Sequence, residues 1–262
     1  MNSRFIRLLF LGVFFLTLTA CQTLEKEDAT LSAISDEINF DWQFTLAELS
    51  IDELNEAKTV SWRQVQLPHD WSIEDLPGTN SPFTKDSDDV YDTGYTLGGT
   101  GWYKKIITLP ENTNPTSAIL LFDGVYMDSS VYVNGKLVNN HYYGYTAFWL
   151  DIGEYLNWGA ENTLLVKVNN PHKNSRWYSG SGIYRTASLT FKPTTHIATW
   201  GTKVTTPIVS AQKAKIHVST QLTVQSTTQS SSNELTLTND IFSPDNQLVQ
   251  STSQTVTSDN NN

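Results

Sequence analysis

Ser130-Val-Tyr-Val-Asn-Gly-Lys-Leu-Val138 is the stretch on which the fold class turns. Asn134-Gly135 stands between two short β-prone runs. Both central residues of a type I′ turn take positive φ, and Asn-Gly adopts that geometry most readily, so a two-residue hairpin is predicted here. Further strand-like runs lie to either side: Trp102–Leu109, Phe148–Ile152, Leu164–Val168 and Ala187–Phe191. Ala118-Ile-Leu-Leu-Phe122 is apolar throughout, as for a strand buried on both faces. Phe40–Phe44 and Trp62–Leu67 add two more strands, and Leu46–Lys58 has room for a helical turn around Leu49, Ile51 and Leu54. Many short strands with turn signals between them, and little helix, predict an all-β fold, a β-sandwich or jelly roll from about residue 39 to 192.

Beyond residue 195 the composition shifts to Ser, Thr, Gln and Asn. Lys215–Thr220 and Glu234–Thr238 alternate as strands, and Asp240–Asn246 makes a turn. An immunoglobulin-like sandwich takes about 100 residues and seven strands. Residues 196–262 number fewer than 70, so this second unit is expected to be an incomplete immunoglobulin-like β-sandwich.

Two loops stand out. Asn174-Ser-Arg-Trp-Tyr-Ser-Gly-Ser-Gly-Ile-Tyr-Arg185 joins two strands and gathers a cation, aromatic rings and two glycines. Loops on a rigid scaffold are where binding residues concentrate, and a structural turn whose aromatics cap the core explains the run equally well. Ser72–Gly101 has no sustained periodicity and carries Asp86, Asp88, Asp89 and Asp92; a loop of this length is functional or disordered. Its Gly98-Gly-Thr-Gly101 cluster is not a phosphate loop, because no Gly-Lys-Ser/Thr follows and a strand comes next. His69-Asp70 reads as a hydrogen-bonded corner, Trp71 as a core aromatic and Arg185 as a strand-end cation.

The five histidines are scattered without metal-ligand spacing, and one cysteine excludes an intrachain disulfide. Neither a cofactor nor a metal is expected. A net charge of −10 argues against nucleic acid as a partner. Trp and Tyr together number 19, rings that fill cores and also stack on sugars. At the N-terminus, Arg4 and Arg7 precede an apolar run, Leu8–Leu18, of signal-peptide length. Leu18-Thr-Ala-Cys21 resembles the lipobox of bacterial lipoproteins, which implies a signal peptide over 1–20, lipidation at Cys21 and a polar tether over 21–38. Gln22 follows the cysteine, so the resemblance implies anchoring at the outer membrane of the cell envelope.

Six motifs run in the order found at the start of glycoside hydrolase family 2 β-galactosidases. They are Leu67-Pro-His-Asp-Trp71, Gly98-Gly-Thr-Gly-Trp-Tyr-Lys104, Phe122-Asp-Gly-Val125, Val133-Asn-Gly135, Tyr143-Gly-Tyr-Thr-Ala-Phe148 and Arg176-Trp-Tyr-Ser-Gly-Ser-Gly-Ile-Tyr-Arg185. The resemblance implies a jelly-roll sugar-binding domain, 39–195, followed by the start of an immunoglobulin-like domain, 196–262. In that family the two catalytic glutamates lie in a C-terminal (β/α)₈ barrel of about 250 residues, for which this sequence has no room. No catalytic residue is therefore assigned. Arg176 matches a substrate-side position of the family, where a guanidinium can donate paired hydrogen bonds to sugar hydroxyls or to a barrel carboxylate. The expected partners are a β-galactoside or related glycan, the membrane through the N-terminal lipid, and a catalytic barrel. The competing readings are a carbohydrate-binding envelope lipoprotein without hydrolytic activity, and an envelope protein without sugar affinity.

Overall fold

A computed structural model describes residues 34–87, 90–91, 94–109, 117–171, 180–193, 195–224 and 234–257. Cys21, Asp88, Asp89, Asp92 and Arg176 lie outside the described residues. In chain order the strands of the first domain are β1 (Ile34–Glu37), β2 (Trp42–Leu46), β3 (Arg63–Val65), β4 (Gly99–Thr108) and β5 (Ser117–Phe122). They continue with β6 (Ser129–Val133), β7 (Lys136–His141), β8 (Phe148–Asp151), β9 (Glu161–Asn170) and β10 (Ala187–Lys192). The single described α-helix, α1 (Ile51–Glu56), starts on a capping box. The Ser50 hydroxyl accepts from the Glu53 amide and the Glu53 carboxylate accepts from the Ser50 amide.

The strands form two antiparallel sheets, one ordered β3-β2-β4-β9-β6-β7 and the other β1-β10-β5-β8. Alternation along each strand sends one set of side chains into the space between them. Trp42, Phe44, Tyr103, Val131, Val133, Leu164, Val166 and Val168 come from the larger sheet, and Leu120, Phe122, Phe148, Leu150 and Leu189 from the smaller. The opposite face of the larger sheet carries Trp102 and Leu165, which Leu54 of α1 covers together with Leu49, Ile51 and Trp62. The amphipathic segment between β2 and β3 therefore caps the sandwich on its outside.

β1 falls inside the stretch that the sequence reads as tether. It pairs with β10 from Ile34↔Phe191 to Glu37↔Ser188. Ile-Ser-Asp-Glu holds one apolar residue and no alternation, so it carries little strand signal, and charged residues are common on edge strands. The predicted hairpin is present: Asn134 and Gly135 have φ of 50° and 78° and join β6 to β7.

Beyond the sandwich come β11 (Thr195–Val209), β12 (Ala214–Val224), β13 (Glu234–Phe242) and β14 (Leu248–Thr257). They pair as two separate hairpins, β11 with β12 and β13 with β14. Four strands in two ribbons make an incomplete immunoglobulin-like sandwich. Among the described residues no helix is long and apolar enough to cross a membrane.

Candidate functional site

Strand register decides which motifs meet. In the larger sheet Gly99 pairs with Asn170 and Ser129 with Val168, while Val133 pairs with Leu164 toward the other end, where Thr108 meets Glu161. In the smaller sheet Phe122 faces both Ala187 and Phe148. The connection from Phe122 to Ser129 brings these two ends together. The motifs at 67–71, 98–104, 122–125 and 143–148 and the described part of the last, Gly180–Arg185, are thus gathered at one end and side. Asn134-Gly135 lies at the opposite end, where its role is the turn itself.

Asp70 ties this cluster. Its Oδ1 accepts from the amides of Ser72 and Ser181, at 2.9 Å each. Ser181 Oγ accepts from Ser72 Oγ (2.5 Å) and from Asn170 Nδ2 (2.7 Å). The amides of His69 and Trp71 donate to the carbonyls of Ile183 and Ser181. Gly182 pairs with Tyr126 by two backbone bonds of 2.8 and 2.9 Å. With φ at 123°, and with His69 O 2.7 Å from where a Cβ would stand, position 182 accepts only glycine. The corner reading of His69-Asp70 agrees with this geometry, and Trp71 is a core aromatic, 6% exposed and stacked on Phe44.

A second chain of contacts runs through His69, which is 8% exposed. Its Nδ1 lies 2.6 Å from the Tyr103 hydroxyl, and its Nε2 lies 3.0 Å from Glu74 Oε1 and 3.3 Å from an Arg63 nitrogen. The backbone of Ile183 bonds to the same hydroxyl. That bond favours the phenolate, as a backbone N–H donor does; with the neutral imidazole protonated on Nε2, His69 would donate to Glu74 and accept from Tyr103 at Nδ1. Burial pushes the His69 pKa below its ordinary value, against the pull of Glu74, and pushes the Tyr103 pKa well up. Arg63 pairs with Glu74 in the open, 48% and 39% exposed, so that pair contributes about 0–1 kcal/mol. Beside it runs a groove of about 650 Å³, bordered by Phe44, Arg63, Trp71, Glu74 and Leu97.

The loop 142–147 docks on the same cluster, with the Tyr184 hydroxyl donating to Gly144 O at 2.7 Å. Arg185 is exposed and lies over the Tyr184 ring at 5.4 Å. Asp86 is exposed as well. In the long loop the described residues are tied by backbone bonds, Thr84 to Tyr95 and Tyr95 to Val90. Among the described residues no group of three or more His, Cys, Asp or Glu side chains is placed to hold a metal ion. The arrangement locks these loops together from beneath, with the hydroxyls of Ser72, Ser181 and Tyr103 buried and Tyr142, Tyr143, Tyr145 and Arg185 exposed around it. Tyr103, Glu74, Tyr126 and Asn170 were not singled out from the sequence. Tyr103 and Tyr126 meet partners far away in the chain, His69 and Gly182, while Glu74 and Asn170 bond within five to eleven residues across irregular loops that carry no recognisable pattern.

The family model for the sugar-binding domain of family 2 glycosyl hydrolases matches residues 36–193. A beta-galactosidase of Bacteroides ovatus is 37% identical over 194 residues, 73% of this chain and 22% of that protein. A putative beta-glucuronidase of Formosa agariphila is 30% identical, covering 80% of this chain and 20% of that protein. Among solved structures, a family 2 glycosyl hydrolase from Bacteroides cellulosilyticus superimposes with a TM-score of 0.76 at 42% identity, over 87% of this chain and 29% of that one. This chain thus spans about a fifth of the length of these curated relatives, and the alignments fall on their N-terminal part. Six motifs in family order, a sandwich with five of them gathered together, and the match over residues 36–193 place this chain in glycoside hydrolase family 2, as its N-terminal sugar-binding domain.

Proposed function

We propose that this chain is the non-catalytic, substrate-side portion of a β-galactosidase-type hydrolase, and that its loops help to form the galactoside pocket. The gathering of five motifs around the Asp70 corner carries this reading, since it fixes these loops relative to one another as a platform for recognition. Bond cleavage then belongs to a (β/α)₈ barrel completing the site. Arg176, just upstream of the Gly180–Arg185 cluster, contacts the sugar hydroxyls or a barrel carboxylate. A galactoside is favoured over a glucuronide because the beta-galactosidase relative is the more similar of the two compared.

The test is Arg176→Ala, made in this chain and in a polypeptide continued through a catalytic barrel. The melting temperature of this chain should hardly change. Turnover of nitrophenyl β-galactoside by the longer form should fall about tenfold or more, the loss of a charge-assisted hydrogen bond. Unchanged turnover per folded molecule would remove Arg176 from the pocket, and faster turnover of the glucuronide would reassign the substrate.

The N-terminus supports an envelope location, with Cys21 lipidated and the protein held at the bacterial outer membrane. Cys21→Ala should leave an unprocessed precursor on a gel of whole-cell extract. Normal processing to a soluble form would overturn the anchor.

A further inference from the structure

We propose that Tyr142, Tyr143 and Tyr145 form a stacking surface for an uncharged glycan chain of several pyranose rings. This deepens the sugar-binding reading and rests on it for the class of ligand. These three rings are 67%, 59% and 54% exposed within four residues of chain. They are not stray core residues, because the backbone between them is fixed. Gly144 is buried against the Tyr126 ring with no room for a Cβ, and the Tyr184 hydroxyl holds its carbonyl. Tyr145 packs edge-on to Tyr126 at 5.3 Å and 70°, and Tyr143 packs on Tyr145 at 5.8 Å and 64°. The loop is also short, running from the end of β7 at His141 to the start of β8 at Phe148.

Rings held in place before binding lose little conformational freedom when a ligand arrives. The near-perpendicular pair makes a corner, one ring offering its face to the C–H face of a pyranose and the other bounding its side. The phenol hydroxyls are placed to exchange hydrogen bonds with sugar hydroxyls. From Tyr142 to Leu150 there is no Lys, Arg, Asp or Glu, and the chain carries a net charge of −10. A polyanionic glycan is therefore disfavoured, and a neutral one is not. The loop lies against Tyr184, so a glycan whose terminal sugar sits at the gathered motifs extends its next residues across these rings.

The experiment is titration calorimetry of this chain with galactose and with four uncharged β-linked tetrasaccharides, the galacto-, gluco-, xylo- and manno- series. At least one tetrasaccharide should bind more tightly than galactose. Its affinity should fall about tenfold or more in Tyr143→Ala/Tyr145→Ala and measurably in Tyr142→Ala, while Tyr143→Phe/Tyr145→Phe retains most of it. Circular dichroism of each variant confirms the fold. The proposal is overturned if no tetrasaccharide binds, or if binding survives both alanine variants, which would leave the loop to a protein partner. Tyrosine-dependent binding of another series but not the galacto series would refute the galactoside reading and leave this surface standing. Galactotetraose binding indifferent to the tyrosines would do the reverse.

Discussion

His69 shows how one side chain couples the sheet to the motif cluster. It bonds to the Tyr103 hydroxyl on one side and to the Glu74 carboxylate on the other, with Arg63 and Asp70 also acting on it. Its pKa in the fold lies below the ordinary value of 6.5, chiefly through burial. The unfolded chain therefore binds a proton at this position first as pH falls. The stabilising contribution is full above pH 6.5 and is lost progressively as pH drops from there through the folded value. Urea denaturation at pH 7.5, 6.5 and 5.5 should show stability falling through this window, and His69→Gln should flatten that segment of the profile. The substitution should also lower stability at pH 7.5 by about 1–3 kcal/mol, because the buried Tyr103 hydroxyl loses its His69 partner. An unchanged slope in the variant would mean that His69 does not titrate differently in the fold.

Among the elements, the β6–β7 hairpin allows stability and recognition to be separated. Asn134 donates through Nδ2 to Tyr155 O and Asn162 Oδ1, both at 2.8 Å, and accepts from the Thr163 amide at 3.0 Å. Asn134→Ala removes these bonds and leaves alanine at positive φ. The expected cost is about 2–4 kcal/mol, read as a lowered melting temperature. The hairpin lies at the far end from the gathered motifs, so glycan affinity per folded molecule should stay the same; a parallel loss of affinity would contradict the register argument. This hairpin was legible in the sequence because its signal is local, two residues between two strands. The start of α1 was equally legible in principle, since Ser50 and Glu53 have capping-box spacing. β1 was not, because a run of four with a single apolar residue shows no alternation. Nor was the Asp70 hub: the amide it holds belongs to Ser181, 111 residues away. His69-Asp70 could be read as a corner, but what the corner gripped was a tertiary fact.

At the scale of the whole molecule the sandwich and the two following hairpins differ in how much apolar surface they cover. The sandwich core includes many side chains at 0–2% exposure. Along β11–β14, Trp200, Val204, Val209, Leu248 and Val249 remain 58–71% exposed. A two-stranded ribbon is marginally stable in water on its own. Amides of β11–β14 should therefore exchange with deuterium faster than those of β4, β6 and β9, whose strands are paired on both sides. The sandwich should also tolerate removal of the hairpins. Contacts that would be lost include the edge-on packing of Trp200 against Trp149 at 6.4 Å and the bond from Lys192 to Ile197 O at 3.2 Å. Trp149 is already 37% exposed, so its partner contributes about 0.5–1.5 kcal/mol. For a domain of this size that corresponds to about 1–6 °C of melting temperature. A chain ending after Pro193 should thus melt cooperatively within that margin of the longer chain and bind the same glycans. Loss of cooperative melting, or hairpin amides protected as strongly as β4, would mean that sandwich and hairpins form one cooperative unit.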